Sequence, residues 1–203
     1  MYQEFLDRID FSQNSFWISF ASITFNPFFW NIVARKEHKT RFLTRLVGGN
    51  PYVGCYCLAV VIFFLGIFRD ILYKKAIEKQ PILPSLDNDY SKGLALVLFF
   101  AGNCFVLSSM YVLGVTGTYL GDYFGILMDE RVTSFPFNVL DNPMYYGSSM
   151  VFLSTALWYA SPAGIILTIW AFILYSIALQ FEGPFTSMIY AQRDEKIKRQ
   201  KNE

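Results

Sequence analysis

The sequence predicts an all-α integral membrane protein, a polytopic helix bundle whose last two helices form a C-terminal hairpin. The first observation is composition: 54% of the 203 residues are hydrophobic and 19% are aromatic, which is more apolar than an ordinary soluble domain. The second is the distribution of charge, because four long stretches contain no Asp, Glu, Lys or Arg. They are 11–34, 46–68, 93–121 and 142–181, and each exceeds the roughly 20 apolar residues that cross a hydrocarbon core as a helix.

The same composition argues against several function classes. A net charge of +1 argues against nucleic acid as a partner. The single histidine, His38, leaves little for a His-based metal site or a Ser-His-Asp triad, and no metal is predicted. Cys55, Cys57 and Cys104 lack the paired spacing of a disulfide framework or a zinc site.

Residues 1–50 are predicted to form an interfacial or re-entrant helix followed by a basic loop. The stretch 11–34 is aromatic and rich in Ser and Asn, with Pro27 near its end. The following residues, 35–45, are rich in Lys and Arg, and they either face lipid headgroups or attract the anionic groups of a ligand. Residues 51–203 are predicted to form the transmembrane core with a cytosolic tail.

Two spans are predicted next, within 51–68 and 93–113. The second contains small and polar residues, among them Gly102 and Ser109, that suit a helix packed against other helices. Beyond it, glycines recur at helical spacing, which predicts one glycine-lined helix face; they are Gly114, Gly117, Gly121 and Gly125. Such a face serves either close helix packing or close approach of a cofactor. It is not a dinucleotide-binding fingerprint, because no strand precedes it.

The last apolar stretch is too long for one span. As a single helix, residues 145–182 would extend about 55 Å at about 1.5 Å per residue, whereas the hydrocarbon core is about 30 Å thick. Ser161-Pro162 lies in its middle and is a break signal. We therefore expect a hairpin, with the short arm 143–160 entering the membrane and 162–181 returning Glu182 to the face where Asn142 began.

The basic residues do not decide the topology. The Lys and Arg count on the cytosolic side is the same for a hairpin with five crossings as for a single final span with four. Both arrangements place the tail, 193–201, in the cytosol.

The two ends of this hairpin are candidate sites. Asp141-Asn142-Pro143 is a helix start, whose free N–H groups suit a phosphate or carboxylate. Glu182-Gly183-Pro184 is a helix stop, and its carboxylate suits a cation. Both could also be ordinary caps. Aromatic residues crowd the same region and either attract a sulfonium or ammonium group or form a membrane-interface belt; they are Tyr123, Phe124, Phe135, Phe137, Tyr145 and Tyr146.

Three segments carry a resemblance to a known family. They are Gly117-Thr-Tyr-Leu-Gly-Asp-Tyr-Phe-Gly-Ile-Leu127, Arg131-Val-Thr-Ser-Phe-Pro-Phe-Asn-Val-Leu-Asp-Asn-Pro-Met-Tyr-Tyr-Gly147 and Glu182-Gly-Pro-Phe-Thr-Ser-Met-Ile-Tyr190. They closely resemble the phosphatidylethanolamine N-methyltransferase family, and within it the fungal members that act on mono- and dimethylated phosphatidylethanolamine. The resemblance runs from about residue 35 to residue 190. More loosely, Pro143, Tyr145 and Gly147 followed by a distal Glu are similar to membrane methyltransferases that include those acting on isoprenylcysteine.

The resemblance implies S-adenosylmethionine as methyl donor, a phospholipid acceptor and residence in the endoplasmic reticulum membrane, with a mitochondrial membrane as the alternative. The family's donor-binding Gly-x-Gly reads Phe100-Ala101-Gly102 here, with only the second glycine kept. Its paired acidic motif reads Glu182-Gly183, with only the first acid kept. The resemblance therefore implies donor-binding roles for Gly102 and Glu182, and at most backbone contacts from Phe100, Ala101 and Gly183.

Methyl transfer from a sulfonium to an amine needs the methyl held near attack distance, water excluded and the amine deprotonated. We predict that Glu182 contacts the donor's ammonium or the lipid amine and that Tyr145 lines the methyl path. Asp122 and Asp141 are the second acidic candidates, and Asn142 and Tyr123 are further donor-binding candidates. Two alternatives remain open: a methyltransferase for another lipidic acceptor, such as a prenylated cysteine carboxylate, and a non-catalytic scaffold or lipid-binding protein.

Overall fold

The fold is a bundle of α-helices, as predicted. A computed structural model describes residues 2–129 and 132–202, and this part of the chain contains no β-strand. Its helices are α1 (Tyr2–Asp7), α2 (Asn14–Thr40), α3 (Phe42–Leu46), α4 (Pro51–Ile77), α5 (Asp89–Thr118), α6 (Pro143–Trp158) and α7 (Pro162–Asn202). Short 3-10 turns cover Pro84–Leu86 and Gly121–Phe124.

Three segments of the described chain are long and apolar enough to cross a membrane: Pro51–Ile77, Asp89–Phe124 and Pro162–Gln200. These are α4, α5 with its following turn, and most of α7, so a multi-pass membrane protein is confirmed. Helix α6 has 16 residues and extends about 24 Å, which is shorter than the hydrocarbon core of about 30 Å. It lies between α5 and α7.

The predicted hairpin is present, and the break between its two helices lies at the expected residues. Helix α6 ends at Trp158, and Ala160 adopts a left-handed conformation with φ of 47°. The Ser161 hydroxyl accepts a hydrogen bond of 3.1 Å from the N–H of Gly164, and Pro162 occupies the first position of α7. A capping serine followed by proline is a favourable helix start, so the chain reverses at this point.

The predicted helix stop at Glu182-Gly183-Pro184 is wrong, because α7 continues through Pro184 to Asn202. An interior proline costs a helix about 3 kcal/mol, so contacts outside the helix must offset it. Arg35 donates a hydrogen bond of 2.7 Å to the carbonyl of Phe181, three residues before the proline. Beyond the proline, Arg193 donates a hydrogen bond of 2.7 Å to the carbonyl of Met128, which lies in the segment that follows α5.

Helix α2 is continuous through Pro27 and does not turn back as a re-entrant segment would. It runs antiparallel to α4 and parallel to α7. Near its middle, Asn26 donates to the carbonyl of Leu65 on α4 at 3.3 Å, and Trp170 on α7 donates to the hydroxyl of Thr24 at 2.9 Å. The interfacial position of this helix, and the division of the chain at residue 50, stay predictions.

The predicted glycine face after α5 is also wrong. Gly114 has φ of 62° and ψ of −174°, which kinks α5, and Gly125 is left-handed with φ of 82°. Because the backbone leaves the helix, the evenly spaced glycines do not share one face. The close approach occurs instead between Gly102 on α5 and Gly147 on α6: a Cβ on either would lie 2.6 Å from the other's carbonyl oxygen.

The bundle has two ends, and the candidate residues lie at one of them. At the opposite end, Gln80 and Asp10 exchange hydrogen bonds of 2.8 and 3.0 Å, and Leu83 donates to the Ala160 carbonyl at the hairpin turn. An apolar core between α2, α4 and α7 includes Ile23, Ile77 and Leu167. The candidate end collects the last turns of α2, the segment after α5, the start of α6 and the second half of α7.

Candidate active site

The Glu182 carboxylate is the centre of a hydrogen-bonded cluster that joins three helices. Its Oε1 accepts hydrogen bonds from Trp30 Nε1 at 2.9 Å and from Asn31 Nδ2 at 2.7 Å, both on α2. Its Oε2 accepts one of 2.7 Å from the hydroxyl of Tyr145, in the first turn of α6. The hairpin therefore brings together Glu182 and Tyr145, two residues that the sequence predicted to share a site.

This carboxylate forms no ion pair with the side chains that the structure describes. Trp30, Asn31 and Tyr145 are neutral donors, and among the described side chains no Lys, Arg or His nitrogen lies within 4.0 Å of Glu182. A charged group at a membrane boundary normally has a partner or a function. Glu182 is thus held in a fixed orientation with its negative charge available to a cation.

Aromatic rings lie beside this carboxylate. The Tyr123 ring stacks on Phe185 of α7 with centroids 4.9 Å apart, and His38 stands edge-on to Phe185 at 5.2 Å. Tyr123 is fully buried, and its hydroxyl has no hydrogen-bond partner among the described residues. The same holds for His38 Nδ1. Buried polar atoms normally find partners, so these two atoms are available to form hydrogen bonds with water or with a bound molecule.

Asp122 lies next to these rings and is tied to α7. Its Oδ2 accepts a hydrogen bond of 2.7 Å from the Thr186 hydroxyl, one turn beyond Glu182, and its Oδ1 accepts one of 3.0 Å from the N–H of Tyr123. The carboxylate therefore fixes the Gly121–Phe124 turn against the helix that carries Glu182. This is a positioning contact at the edge of the cluster.

A buried carboxylate, Glu37, shapes the same end of the bundle. Glu37 is fully buried near the end of α2 and accepts hydrogen bonds from the N–H of Leu43 at 2.7 Å and from the Thr44 hydroxyl. It thereby caps the start of α3. Arg41, between the two helices, donates to the carbonyl of Phe124 and holds the turn after α5 in place.

The other predicted residues at the hairpin are not drawn into the cluster. Asn142 occupies the cap position of α6, but its side chain makes no capping hydrogen bond. Asp141 is exposed, and none of the hydrogen bonds in the described structure involves its carboxylate. Gly183 is exposed on α7, with open space where a side chain would extend.

The sequence model of the family described as phospholipid methyltransferase matches residues 90–193. The phosphatidyl-N-methylethanolamine N-methyltransferase of Neurospora crassa is 58% identical over 186 residues, covering 92% of this chain and 87% of its own. This chain belongs to the phospholipid methyltransferase family. Membership confirms the predicted enzyme class, one that methylates phospholipids.

Other members of the phospholipid methyltransferase family are similar over almost the same length. The protein of Saccharomyces cerevisiae that carries the same name as the Neurospora relative is 50% identical over 192 residues, covering 95% of this chain and 93% of its own. The human phosphatidylethanolamine N-methyltransferase is 48% identical over 188 residues, which cover 93% of this chain and 94% of its own. No solved structure matches this chain.

The hydrogen bonds to Glu182 come from Trp30, Asn31 and Tyr145, and none of them involves Phe100, Ala101 or Gly102 of this phospholipid methyltransferase. Phe100 is 67% exposed on the outer surface of α5. Gly102 faces α6, where an added Cβ would also lie 2.9 Å from a methyl group of Val151. The structure thus gives Gly102 a packing role, and a donor-binding role for these three residues stays a prediction.

Sequence reasoning missed the contribution of α2 to the phospholipid methyltransferase site. Trp30 and Asn31 supply two of the three hydrogen bonds to Glu182. A signal was present, since an asparagine side chain within an apolar stretch needs a polar partner. Its partner lies 151 residues away, a distance that no local pattern reveals. Among the described residues, no group of three or more His, Cys, Asp or Glu side chains could hold a metal ion.

Proposed function

We propose that this enzyme methylates phosphatidyl-N-methylethanolamine and phosphatidyl-N,N-dimethylethanolamine to give phosphatidylcholine, with phosphatidylethanolamine as a further acceptor. S-adenosylmethionine is the proposed methyl donor. Support comes from the names of the relatives: fungal members are named for the monomethylated lipid, and the human member for phosphatidylethanolamine itself. No observation favours a prenylated cysteine carboxylate or a purely structural role.

The observation that carries this proposal is the Glu182 carboxylate, which three neutral donors hold without a protein cation within 4.0 Å among the described residues. S-adenosylmethionine carries an ammonium and a sulfonium, so it offers the positive charge that the site lacks. Glu182 would bind the ammonium, since hydrogen bonds to charged groups are the stronger ones. The residues present therefore fit the proposed donor.

The aromatic side of the cluster fits the other groups of this donor. The Tyr123 ring, which stacks on Phe185, can attract a sulfonium, an interaction worth about 0.5–2 kcal/mol. The unpartnered hydroxyl of Tyr123 and Nδ1 of His38 can bond polar groups of the bound molecule. Contacts from Phe100, Ala101, Gly102, Asn142 and Gly183 remain proposals that rest on the family resemblance.

When bound, S-adenosylmethionine supplies an electrophilic methyl group to the lipid amine. The chain's own task is to orient the two reactants and to exclude water. Tyr145, hydrogen-bonded to Glu182, would line the approach of the amine, and the buried ring of Tyr123 would help to keep water out. The lipid ammonium must lose a proton before its nitrogen can attack. Glu182 is the first proposed acceptor of this proton; Asp122, whose oxygens accept hydrogen bonds from Thr186 and the N–H of Tyr123, and the exposed Asp141 are second candidates.

We further propose that the enzyme resides in the endoplasmic reticulum membrane, with a mitochondrial membrane as the alternative, and that its tail is cytosolic. The hydrogen bond between Arg193 and the Met128 carbonyl puts the start of the tail at the active-site end of the bundle. The basic residues 35–45 lie at the same end, which agrees with the enrichment of Lys and Arg on the cytosolic side. Arg131 lies outside the described residues.

A reconstitution assay tests the proposed function. The purified protein in lipid nanodiscs receives methyl-labelled S-adenosylmethionine and one acceptor at a time: phosphatidylethanolamine, its monomethyl form, its dimethyl form or a prenylcysteine analogue. We expect label in phosphatidylcholine from both methylated lipids and none in the prenylcysteine analogue. Donor binding without methylation of any ethanolamine lipid would disprove the proposal.

A further inference from the structure

An open groove runs between α2 and α7 and ends at the Glu182 cluster. Its volume is about 300 Å³, at the lower end of the range of ligand sites, about 300–1,000 Å³. Its walls are almost entirely apolar, with Phe28 and Ile32 on α2 facing Leu174, Ile177 and Phe181 on α7. Phe28, Ile32, Ile177 and Phe181 are all at least 40% exposed, so the groove opens toward the surface that faces lipid.

The polar end of the groove carries Asn31 and Arg35. Asn31 also donates a hydrogen bond of 2.7 Å to Glu182, so only the Asn31 side chain separates the groove from the carboxylate. Arg35 lies four residues further along α2 and donates 2.7 Å to the Phe181 carbonyl. Its guanidinium carbon lies 4.6 Å from the centroid of the Phe185 ring.

The positive charge of Arg35 has no counterion in the described part of the protein. No Asp or Glu oxygen of those residues lies within 4.0 Å of its guanidinium nitrogens. Its hydrogen bond to Phe181 uses one terminal nitrogen, which leaves further donors for an anion. A guanidinium held by a carbonyl and an aromatic ring at the mouth of an apolar groove suits a phosphate group.

We propose that this groove is where the acceptor phospholipid binds: one acyl chain lies along α2 and α7, Arg35 binds the phosphate, and the amine reaches the space beside Glu182. The spacing supports this arrangement. The phosphate and nitrogen of an ethanolamine headgroup are separated by two carbon atoms, while Arg35 and Asn31 are one turn apart, a rise of about 6 Å. Phosphate thus meets Arg35, and the amine arrives level with Asn31 and Glu182.

The groove offers a partner to each part of a glycerophospholipid: its apolar wall to an acyl chain, Arg35 to the phosphate and Glu182 to the ammonium. Because Asn31 and Glu182 lie one turn before Arg35 along α2, the headgroup turns its amine back from Arg35 toward the Glu182 cluster. Because the groove is open to the lipid-facing surface, the acceptor enters sideways without leaving the membrane. This inference rests on the proposed function, since it assigns the acceptor subsite of the same reaction.

Arg35→Gln is the first test variant, and Lys39→Gln is its matched control, because Lys39 is an exposed cation one turn further along α2. In mixed micelles, we expect Arg35→Gln to raise the KM for phosphatidyl-N-methylethanolamine at least about 10-fold, as expected for the loss of a charge-assisted hydrogen bond. The affinity for S-adenosylmethionine should stay unchanged. Arg35→Lys should recover part of the loss, and Lys39→Gln should behave like the wild type.

Ile177→Trp tests the groove without changing charge. We expect it to fill the groove and raise the same KM, whereas Ile169→Trp, on the lipid-facing side of α7 outside the groove, should have no effect. Unchanged KM values in both Arg35→Gln and Ile177→Trp, with the wild type active, would overturn the inference and leave the proposed function standing. An inactive wild type would refute the function itself.

Photolabelling of the wild-type protein settles the case in which a variant misfolds. The probe is phosphatidyl-N-methylethanolamine with a diazirine in one acyl chain, in phosphatidylcholine vesicles. We expect label concentrated in the peptides containing residues 27–35 and 174–181, and its loss when excess unlabelled probe lipid is added. Label spread evenly over the lipid-facing surfaces of α4 and α5, without competition, contradicts the assignment.

Discussion

The hydroxyl of Tyr145 lies 2.7 Å from the carboxylate of Glu182, although 37 residues separate them in the chain. This hydrogen bond joins the first turn of α6 to the second half of α7. It exists because the chain reverses at Ser161-Pro162 and α6 and α7 return to the same end of the bundle. Trp30 and Asn31 then complete the set of donors around the carboxylate.

Tyr145→Phe removes this hydrogen bond and keeps the ring. Hydrogen bonds to charged groups contribute about 1.5–3 kcal/mol, so we expect the affinity for S-adenosylmethionine to fall about 10-fold or more as Glu182 loses its orientation. The matched control is Tyr159→Phe, whose hydroxyl makes only an exposed 3.2 Å contact with Glu78 at the other end of the hairpin. Equal donor affinity in both variants would show that the Tyr145 hydroxyl is not part of the site.

The hairpin predicts which residues a membrane-impermeant thiol reagent reaches from each side. After replacement of the lipid-exposed Cys57 and Cys104, single cysteines are introduced as Asn138→Cys, Gln192→Cys and Ser85→Cys, all at exposed positions. We expect the first two to react from the same side and the third from the opposite side. Labelling of the first two from opposite sides would rule out the hairpin.

Gly102→Ala and Gly147→Ala test whether these glycines act through helix packing. An added Cβ would lie 2.6 Å from the facing carbonyl oxygen in either case, and such overpacking costs about 1–3 kcal/mol. We expect each variant to lower the melting temperature in detergent by several degrees. Gly93→Ala, in the same helix but with open space around it, should melt at or above the wild-type temperature. Normal melting with lost donor binding in Gly102→Ala would instead support the donor-binding role implied by the family.

Asp122→Asn and Thr186→Val test the contact between the turn after α5 and α7. If Asp122 acts by positioning, each variant should lower stability by about 1 kcal/mol or more, and the double variant should lose little beyond either single one. A thermal unfolding cycle measures this coupling. Additive losses, or a much larger fall in kcat for Asp122→Asn than for Thr186→Val at equal stability, would assign Asp122 to the chemistry instead.

Physical reasoning from the sequence predicts the main features of this fold. The hairpin follows from a length argument, because an unbroken helix over 145–182 cannot fit the bilayer, and Ser161-Pro162 supplies a cap and a first-turn proline. The meeting of Tyr145 and Glu182 follows from that geometry. These predictions succeeded because they depend on local signals and on the thickness of the membrane.

The features that the sequence could not provide depend on distant contacts. Gly183-Pro184 is a normal stop signal, yet α7 continues because α2 and the segment after α5 pack along it. The regular spacing of Gly114 and Gly125 is meaningless once the backbone leaves the helix at the first of them. The roles of Trp30, Asn31 and Arg35 depend on α2 lying beside α7, and no spacing within α2 reveals that neighbour.

The most direct test of the account is the binding of S-adenosylmethionine to Glu182→Gln, measured by isothermal titration calorimetry on purified protein in nanodiscs. Glu78→Gln makes the same change at the opposite end of the bundle, where Glu78 is exposed, and serves as the control. We expect Glu182→Gln to weaken donor binding at least about 10-fold and Glu78→Gln to match the wild type, with similar melting temperatures for all three. Wild-type donor affinity in a folded Glu182→Gln protein would contradict the donor-binding role of Glu182.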